Sequence, residues 1–108
     1  MYNIKALEIL KNYLVTRNQT ISVAESVTSG HLQAALSLAN QATAFFHGGI
    51  TAYNLGQKAR HLSVNPIHAL GCNCVSEKVA EEMAINVRRL FSSDWSIGIT
   101  GYAAPVPE

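Results

Sequence analysis

The chain has 108 residues, a formal net charge of +1 and 14% charged residues. This length predicts one domain, residues 1–108, with a modest buried core. Proteins that bind a phosphate backbone usually cluster Lys and Arg, whereas the only basic doublet here is Arg88-Arg89, so we expect no nucleic-acid partner. No apolar run approaches the roughly 20 residues of a membrane span, and no signal peptide is recognised, which predicts a cytoplasmic protein without a membrane partner.

Helix and strand alternate along the sequence. The predicted elements are a helix at 2–17, a strand at 20–24, a helix at 30–39, a loop at 40–43, a strand at 48–53, helices at 57–62, 66–71 and 77–91, a strand at 95–100 and an irregular segment to residue 108. This order predicts an α/β fold with a largely parallel sheet. Three strands make a thin sheet, so we expect a longer parent chain or a partner to supply a further strand and helix.

Single residues mark several of the predicted helix ends. Pro66 suits the first position of a helix that stops at Gly71. Ser76 is a good N-cap for the helix that runs to Phe91. The predicted buried stripe of that helix consists of Val79, Met83, Val87 and Leu90.

The two cysteines favour neither a disulfide nor a metal site. Cys72 and Cys74 are separated by one residue, and in an extended segment their side chains point to opposite faces. Free thiols are typical of a reducing compartment. With His68 they form His-x-x-x-Cys-x-Cys, which lacks the paired Cys-x-x-Cys of structural zinc sites. We therefore expect core or loop cysteines and no metal.

Polar segments follow all three predicted strands. They span 25–30, 53–58 and 100–101. In open α/β sheets, ligands bind beyond the carboxyl ends of the strands. If the strands are parallel neighbours, these segments meet at one edge of the sheet, and that edge is the predicted site.

Ser26 is the candidate nucleophile at this edge. A serine hydroxyl needs a base, and Lys58, just past a strand end, is one candidate; the four histidines, His31, His47, His61 and His68, make a Ser-His pair formally possible. The turn 28–30 and the helix N–H groups can hold an oxyanion or a phosphate, and Tyr53 can donate a hydrogen bond. The alternative interpretation is structural: helix-capping hydroxyls, a solvated lysine and a packed tyrosine.

Four ordered motifs resemble those of one known family, the C-terminal domain of the competence/damage-inducible CinA proteins, which also occurs alone as nicotinamide-nucleotide amidase. The correspondence has four parts: residues 24–30 match the family's Ala-Glu-Ser-Cys-Thr-Gly-Gly, and residues 53–58 match Tyr-Ser-Asn-x-x-Lys. Residues 75–84 match Val-Ser-Glu-x-Val-Ala-x-x-Met-Ala, and residues 99–105 match Ile-Thr-Gly-x-Ala-Gly-Pro. The correspondence covers essentially the whole chain.

The resemblance implies a fold, a reaction and a set of site residues. The fold would be a three-layer α/β/α sandwich with a mixed, mostly parallel sheet, lacking its C-terminal strand and helix in this chain. The reaction would be deamidation of nicotinamide mononucleotide to nicotinate mononucleotide and ammonia, without a metal or other cofactor. Ser26 would attack the amide carbon, Lys58 would transfer the proton and Tyr53 would assist. The implied substrate-binding residues are Glu25, Thr28, Ser29, Gly30, Thr100 and Gly101.

Several positions depart from the family pattern. Val27 replaces a cysteine, Ser29 replaces a glycine, and Gly48 stands where an arginine is usual. An arginine of the family's active site belongs to the missing last third. These departures keep an alternative open, namely a non-catalytic domain that binds a nucleotide or forms oligomers. An unpaired sheet edge would promote association, so we expect a homo-oligomer.

Overall fold

The protein is described by a computed structural model over residues 3–72 and 74–102. Its elements are α1 (Ile4–Thr16), β1 (Ile21–Glu25), α2 (His31–Ser37), α3 (Ala42–Phe45), β2 (Phe46–Thr51), α4 (Leu55–Leu62), α5 (Pro66–Gly71), α6 (Glu77–Phe91) and β3 (Trp95–Gly98). Every predicted helix and strand is present. The predicted loop at 40–43 runs instead into the short helix α3, which is anchored by the fully buried Phe45, and β2 begins at Phe46. The predicted irregular end is described only at residues 101 and 102.

The sheet has the strand order β2-β1-β3, and both strand pairs are parallel. Ala24 of β1 pairs with Ile50 on one side and with Gly98 on the other. The predicted α/β class with a largely parallel sheet is therefore confirmed. The antiparallel strand of a mixed sheet is not among the strands described.

Helices cover both faces of this sheet, which gives the three layers that the resemblance implied. One face packs against α4, α5 and α6, and its buried core contains Ala24, Ala52, Leu62, Val64, Ala69, Val79, Met83 and Val87. The other face packs against α1, α2 and α3, and its buried core contains Leu14, Ile21, Val23, Leu36 and Phe45. Because side chains alternate along a strand, β1 sends Val23 to one core and Ala24 to the other.

Helix α6 lies close against the central and outer strands. The Ser76 hydroxyl caps it by accepting a hydrogen bond of 3.1 Å from Val79 N, as its sequence predicts. At Gly98 an added Cβ would lie 2.4 Å from the carbonyl oxygen of Ala80, so glycine permits the close approach of α6 to β3. Leu90, expected in the buried stripe, is 59% exposed in the last turn. In the part of the chain that is described, no helix has the length and apolar character needed to cross a bilayer.

Candidate functional site

The segments that follow the three strands meet at one cavity of about 330 Å³. The end of β1, the end of β2 and the end of β3 each contribute to it, and α4, α5 and the loop before α6 complete its walls. The lining residues are Ser26, Val27, Tyr53, Asn54, Leu55, Lys58, Ala69, Leu70, Cys74, Gly101 and Tyr102. The parallel sheet produces this convergence, because parallel strands present all their carboxyl ends at the same edge.

Ser26 and Lys58 are the two buried polar residues of this cavity's lining. Ser26 follows β1 directly and is 4% exposed, and Lys58 lies on α4 and is 3% exposed. Lysine is almost never this buried unless it is paired. The ion pair found among the described residues joins Lys11 to Glu8, so within them Lys58 has no carboxylate partner. Among the described residues, the cavity thus brings together a hydroxyl and an amine without a carboxylate beside the amine.

Local sequence explains why Lys58 faces the cavity. The Asn54 side chain caps α4 by accepting a hydrogen bond of 3.0 Å from Gln57 N. This cap starts the helix three residues after the end of β2. Leu55 and Lys58 are three residues apart on one helix face, and both line the cavity.

Three large side chains at the rim of the cavity are exposed. Tyr53, Leu70 and Tyr102 line the opening, and their exposed fractions are 56%, 74% and 48%. Two aromatic rings and a leucine around an opening can flank a flat, partly apolar ligand. Leu70 and Tyr102 were not anticipated from sequence, because an apolar residue on a short helix or in a loop carries no signal of its own.

Glu25 lies beneath the turn that follows β1 and outside the cavity lining. It is fully buried, and Oε1 accepts hydrogen bonds from Thr28 Oγ1 (2.6 Å) and Leu32 N (2.9 Å), while Oε2 accepts one from Gln33 N (2.8 Å). Burial of the carboxyl acts to raise its pKa, but these hydrogen bonds together outweigh burial and hold the pKa of Glu25 below its ordinary value. Both carboxylate oxygens are occupied within the fold.

The turn between β1 and α2 has a left-handed corner. Ser29 and Gly30 have φ values of 51° and 93°, and Ser29 N donates a hydrogen bond of 2.9 Å to Ser26 O. Ser29 therefore occupies a conformation that favours glycine. The hydrogen bonds among the described residues leave the backbone N–H groups of Val27 and Thr28 without acceptors.

Thr100 forms a hydrogen bond that links two walls of the cavity. Its hydroxyl donates a hydrogen bond of 2.6 Å to the carbonyl oxygen of Cys74. This bond ties the segment after β3 to the loop before α6, and Cys74 and Gly101 on either side of it line the cavity.

The structure thus separates the site residues expected from sequence into two groups. Four of them line the cavity, namely Ser26, Tyr53, Lys58 and Gly101. The other five are not among the lining residues; Glu25 ends β1, Thr28, Ser29 and Gly30 lie in the turn after it, and Thr100 follows β3. Their expected substrate contacts stay predictions. Glu25 contacts the protein where the resemblance implied a substrate contact, because its carboxylate oxygens already accept hydrogen bonds from Thr28, Leu32 and Gln33.

None of the four histidines lines the cavity. His47 Nδ1 lies 3.0 Å from Phe91 O, His61 Nε2 lies 2.8 Å from Gln57 Oε1, and His68 Nε2 lies 2.9 Å from Ser76 Oγ. Of the candidate bases named from the sequence, Lys58 is the one that shares the cavity with Ser26. Both cysteines are free thiols, and across residues 3–72 and 74–102 no three His, Cys, Asp or Glu side chains gather as metal ligands.

The amino-acid sequence matches the family model of the CinA C-terminal domain over residues 3–108. A CinA-like protein from Picosynechococcus sp. is 41% identical over 97 residues, and one from Prochlorococcus marinus is 44% identical over 99 residues. These alignments cover 90% and 91% of this chain but 23% of each relative. The chain therefore spans about a quarter of the length of the curated relatives it matches.

Solved structures of the same superfamily share the fold. A CinA superfamily protein from Escherichia coli has a TM-score of 0.90 and 35% identity, with 95% of this chain and 60% of that chain covered. A competence or damage-inducible protein from Enterobacter asburiae has a TM-score of 0.92 and 30% identity, with 100% and 68% covered. Fold and cavity define an α/β domain with its candidate site at the carboxyl ends of parallel strands. The chain belongs to the CinA C-terminal domain family, which confirms the resemblance drawn from its motifs.

Proposed function

We propose that this chain is an amidohydrolase that converts nicotinamide mononucleotide to nicotinate mononucleotide and ammonia, with Ser26 as nucleophile and Lys58 as base. The observation that supports this proposal most directly is that the Ser26 hydroxyl and the Lys58 amine are both almost fully buried and line the same cavity. A serine paired with an amine is one of the arrangements that activate a hydroxyl for acyl transfer.

In the proposed first half-reaction, the Lys58 amine accepts the proton of the Ser26 hydroxyl while Oγ bonds to the carboxamide carbon. The tetrahedral intermediate carries an oxyanion, and the unpartnered N–H groups of Val27 and Thr28 are the nearest backbone donors along the chain. When the intermediate collapses, the C–N bond breaks and Lys58 returns the proton to the leaving nitrogen, which departs as ammonia.

In the second half-reaction, water hydrolyses the ester on Ser26. Lys58 accepts a proton from water as the hydroxide oxygen bonds to the acyl carbon. The bond to Ser26 Oγ then breaks, and the proton passes to Oγ. The product is the carboxylic acid, which ionises, and both protein groups regain their starting state.

The rim supports an aromatic substrate. Tyr53, Leu70 and Tyr102 surround the opening, where they can pack against a pyridine ring and hold the carboxamide towards Ser26. In this proposal Tyr53 orients the substrate from the rim, since its side chain is largely exposed.

Two substitutions test the proposed mechanism. Ser26→Ala and Lys58→Met should each lower ammonia release from nicotinamide mononucleotide by at least about 10³-fold, while circular dichroism shows a folded protein. Ser37→Ala and Lys78→Met remove the same groups from exposed helix positions and serve as matched controls with unchanged rates. Activity that survives Ser26→Ala would contradict the proposal.

The alternative, a non-catalytic domain that binds a nucleotide or forms oligomers, is favoured by one observation. Beside the outer strand β3 lies an apolar groove of about 240 Å³, lined by Leu10, Tyr13, Leu14, Ile21, Trp95, Ser96 and Ile97. No described strand pairs with the outer edge of β3, so a second copy of the chain can add there. Binding of nicotinamide mononucleotide without turnover, together with a dimer mass by light scattering, would support this alternative over the hydrolase.

A further inference from the structure

We propose that Glu25 is a positioning residue for the nucleophile, because its carboxylate fixes the turn that carries Ser26. This inference rests on the proposed role of Ser26. It assigns Glu25 no contact with the substrate, in contrast to the role that the family resemblance implies.

The first step of the argument is that Glu25 is held at both its main chain and its side chain. Its carbonyl oxygen accepts a hydrogen bond of 2.9 Å from Ala52 N, which fastens the end of β1 to the end of β2. Its carboxylate accepts the three hydrogen bonds from Thr28, Leu32 and Gln33. Ser26 follows immediately, so the start of the nucleophile's turn is fixed to the sheet.

The second step is that the far side of the turn is fixed by the same carboxylate. Thr28 lies two residues past Ser26, and Leu32 and Gln33 belong to the first turn of α2. One buried anion therefore joins the end of β1, the middle of the turn and the helix that follows. A further hydrogen bond, from Ser29 N to Ser26 O, joins two residues of the turn itself. Loss of the carboxylate would release the turn and the start of α2 from the end of β1, which stays held by its main-chain bonds.

The third step concerns the chemistry that such a frame serves. Rates of acyl transfer depend on sub-ångström placement of the nucleophile and of the oxyanion donors. Ser26 Oγ and the N–H groups of Val27 and Thr28 lie within the segment that Glu25 fixes. A neutral side chain of the same size keeps the volume but presents an amide NH₂ group to a set of hydrogen-bond donors. The turn that carries Ser26 should then be held less rigidly, while the residues that line the cavity stay the same.

The test compares Glu25→Gln with Asp94→Asn. Asp94 has a similar structural task at the opposite edge of the sheet, where its Oδ2 accepts hydrogen bonds from Thr20 N (2.8 Å) and Thr20 Oγ1 (3.2 Å). Both variants should lose stability. Only Glu25→Gln should lower kcat for ammonia release from nicotinamide mononucleotide, by roughly 10- to 100-fold with KM nearly unchanged, whereas Asp94→Asn should change kcat by less than about twofold.

Thr28→Val provides a second variant in case Glu25→Gln does not fold. It removes one donor to the carboxylate and should lower kcat in the same direction by a smaller factor, again without raising KM. Equal kcat values for Glu25→Gln, Thr28→Val and Asp94→Asn would overturn the positioning role. A rise in KM alone would also overturn it, since that result indicates direct substrate contact.

Labelling of Ser26 by a fluorophosphonate separates this inference from the proposed substrate. If the wild-type chain is labelled but releases no ammonia, the substrate assignment fails, and slower labelling of Glu25→Gln than of Asp94→Asn still supports the positioning role. If the wild-type chain neither labels nor releases ammonia, Ser26 is not an activated nucleophile, and the proposed function and this inference are both overturned.

Discussion

The Thr100 hydroxyl and the Cys74 carbonyl oxygen are 2.6 Å apart and joined by a hydrogen bond. Thr100 follows β3, and Cys74 lies in the loop before α6. Cys74 lines the cavity, and so does Gly101, the residue after Thr100. The bond therefore sets the distance between two walls of the candidate site.

Thr100→Val should weaken both the fold and substrate binding. Loss of one hydroxyl-to-carbonyl hydrogen bond should lower the free energy of unfolding by about 1 kcal/mol, and the released wall should raise KM. Ser96→Ala is the matched control, because Ser96 Oγ donates a similar bond of 2.7 Å to Ala84 O away from this cavity. Urea unfolding and steady-state kinetics measure the two effects, and an equal KM in both variants would contradict the role of the Thr100 bond.

Ser29→Gly should stabilise the protein. Ser29 has a φ of 51°, a left-handed conformation that costs a non-glycine residue about 1 kcal/mol, and glycine removes that cost at the expense of some entropy in the unfolded chain. We expect a net gain of about 0.5 kcal/mol, read as a higher melting temperature. Ser37→Gly, in the last turn of α2, should be destabilising instead. A lower melting temperature for Ser29→Gly would count against a strained turn.

Gly98→Ala should be among the most destabilising single methyl additions. The new Cβ would lie 2.4 Å from Ala80 O and 2.8 Å from Ala84 N. Relief of that overlap requires α6 to move away from β3, at a cost of about 2–3 kcal/mol. Gly71→Ala is the control, since nothing lies within 4 Å of its added Cβ. Similar denaturation midpoints for the two variants would show that α6 does not pack as described.

Protonation of Glu25 in acid should lower the free energy of unfolding. Its pKa is lower in the folded protein than in the unfolded chain, so its stabilising contribution is complete above the unfolded value, about 4.3, and is lost as the pH falls through the folded value. The free energy of unfolding of the wild type should therefore approach that of Glu25→Gln below about pH 4. A difference between the two proteins that stays constant from neutral to acidic pH would contradict this account.

Local signals were sufficient to predict most elements and the sheet edge at which the cavity lies. Pro66 and Ser76 start helices as their side-chain chemistry predicts, and the alternation of helix and strand indicated a parallel sheet. The Asn54 cap was not predicted, and α4 begins two residues earlier than expected. The short helix α3 was missed because the buried Phe45 that anchors it becomes buried only in the folded protein.

Sequence by itself determined the family, the order of every element except α3, and the position of Ser26 and Lys58 after the ends of β1 and β2, since motif spacing and strand-end polarity are properties of the linear chain. Tertiary structure decided what each polar group does. Glu25, Thr28 and Thr100 carry residue types suited to a ligand site, yet their hydrogen bonds go to the protein. Leu70 and Tyr102 carry no such signal, yet they form the rim. The physical reason is that hydrogen-bond partners and solvent exposure are set by long-range packing, which brings together segments far apart along the chain.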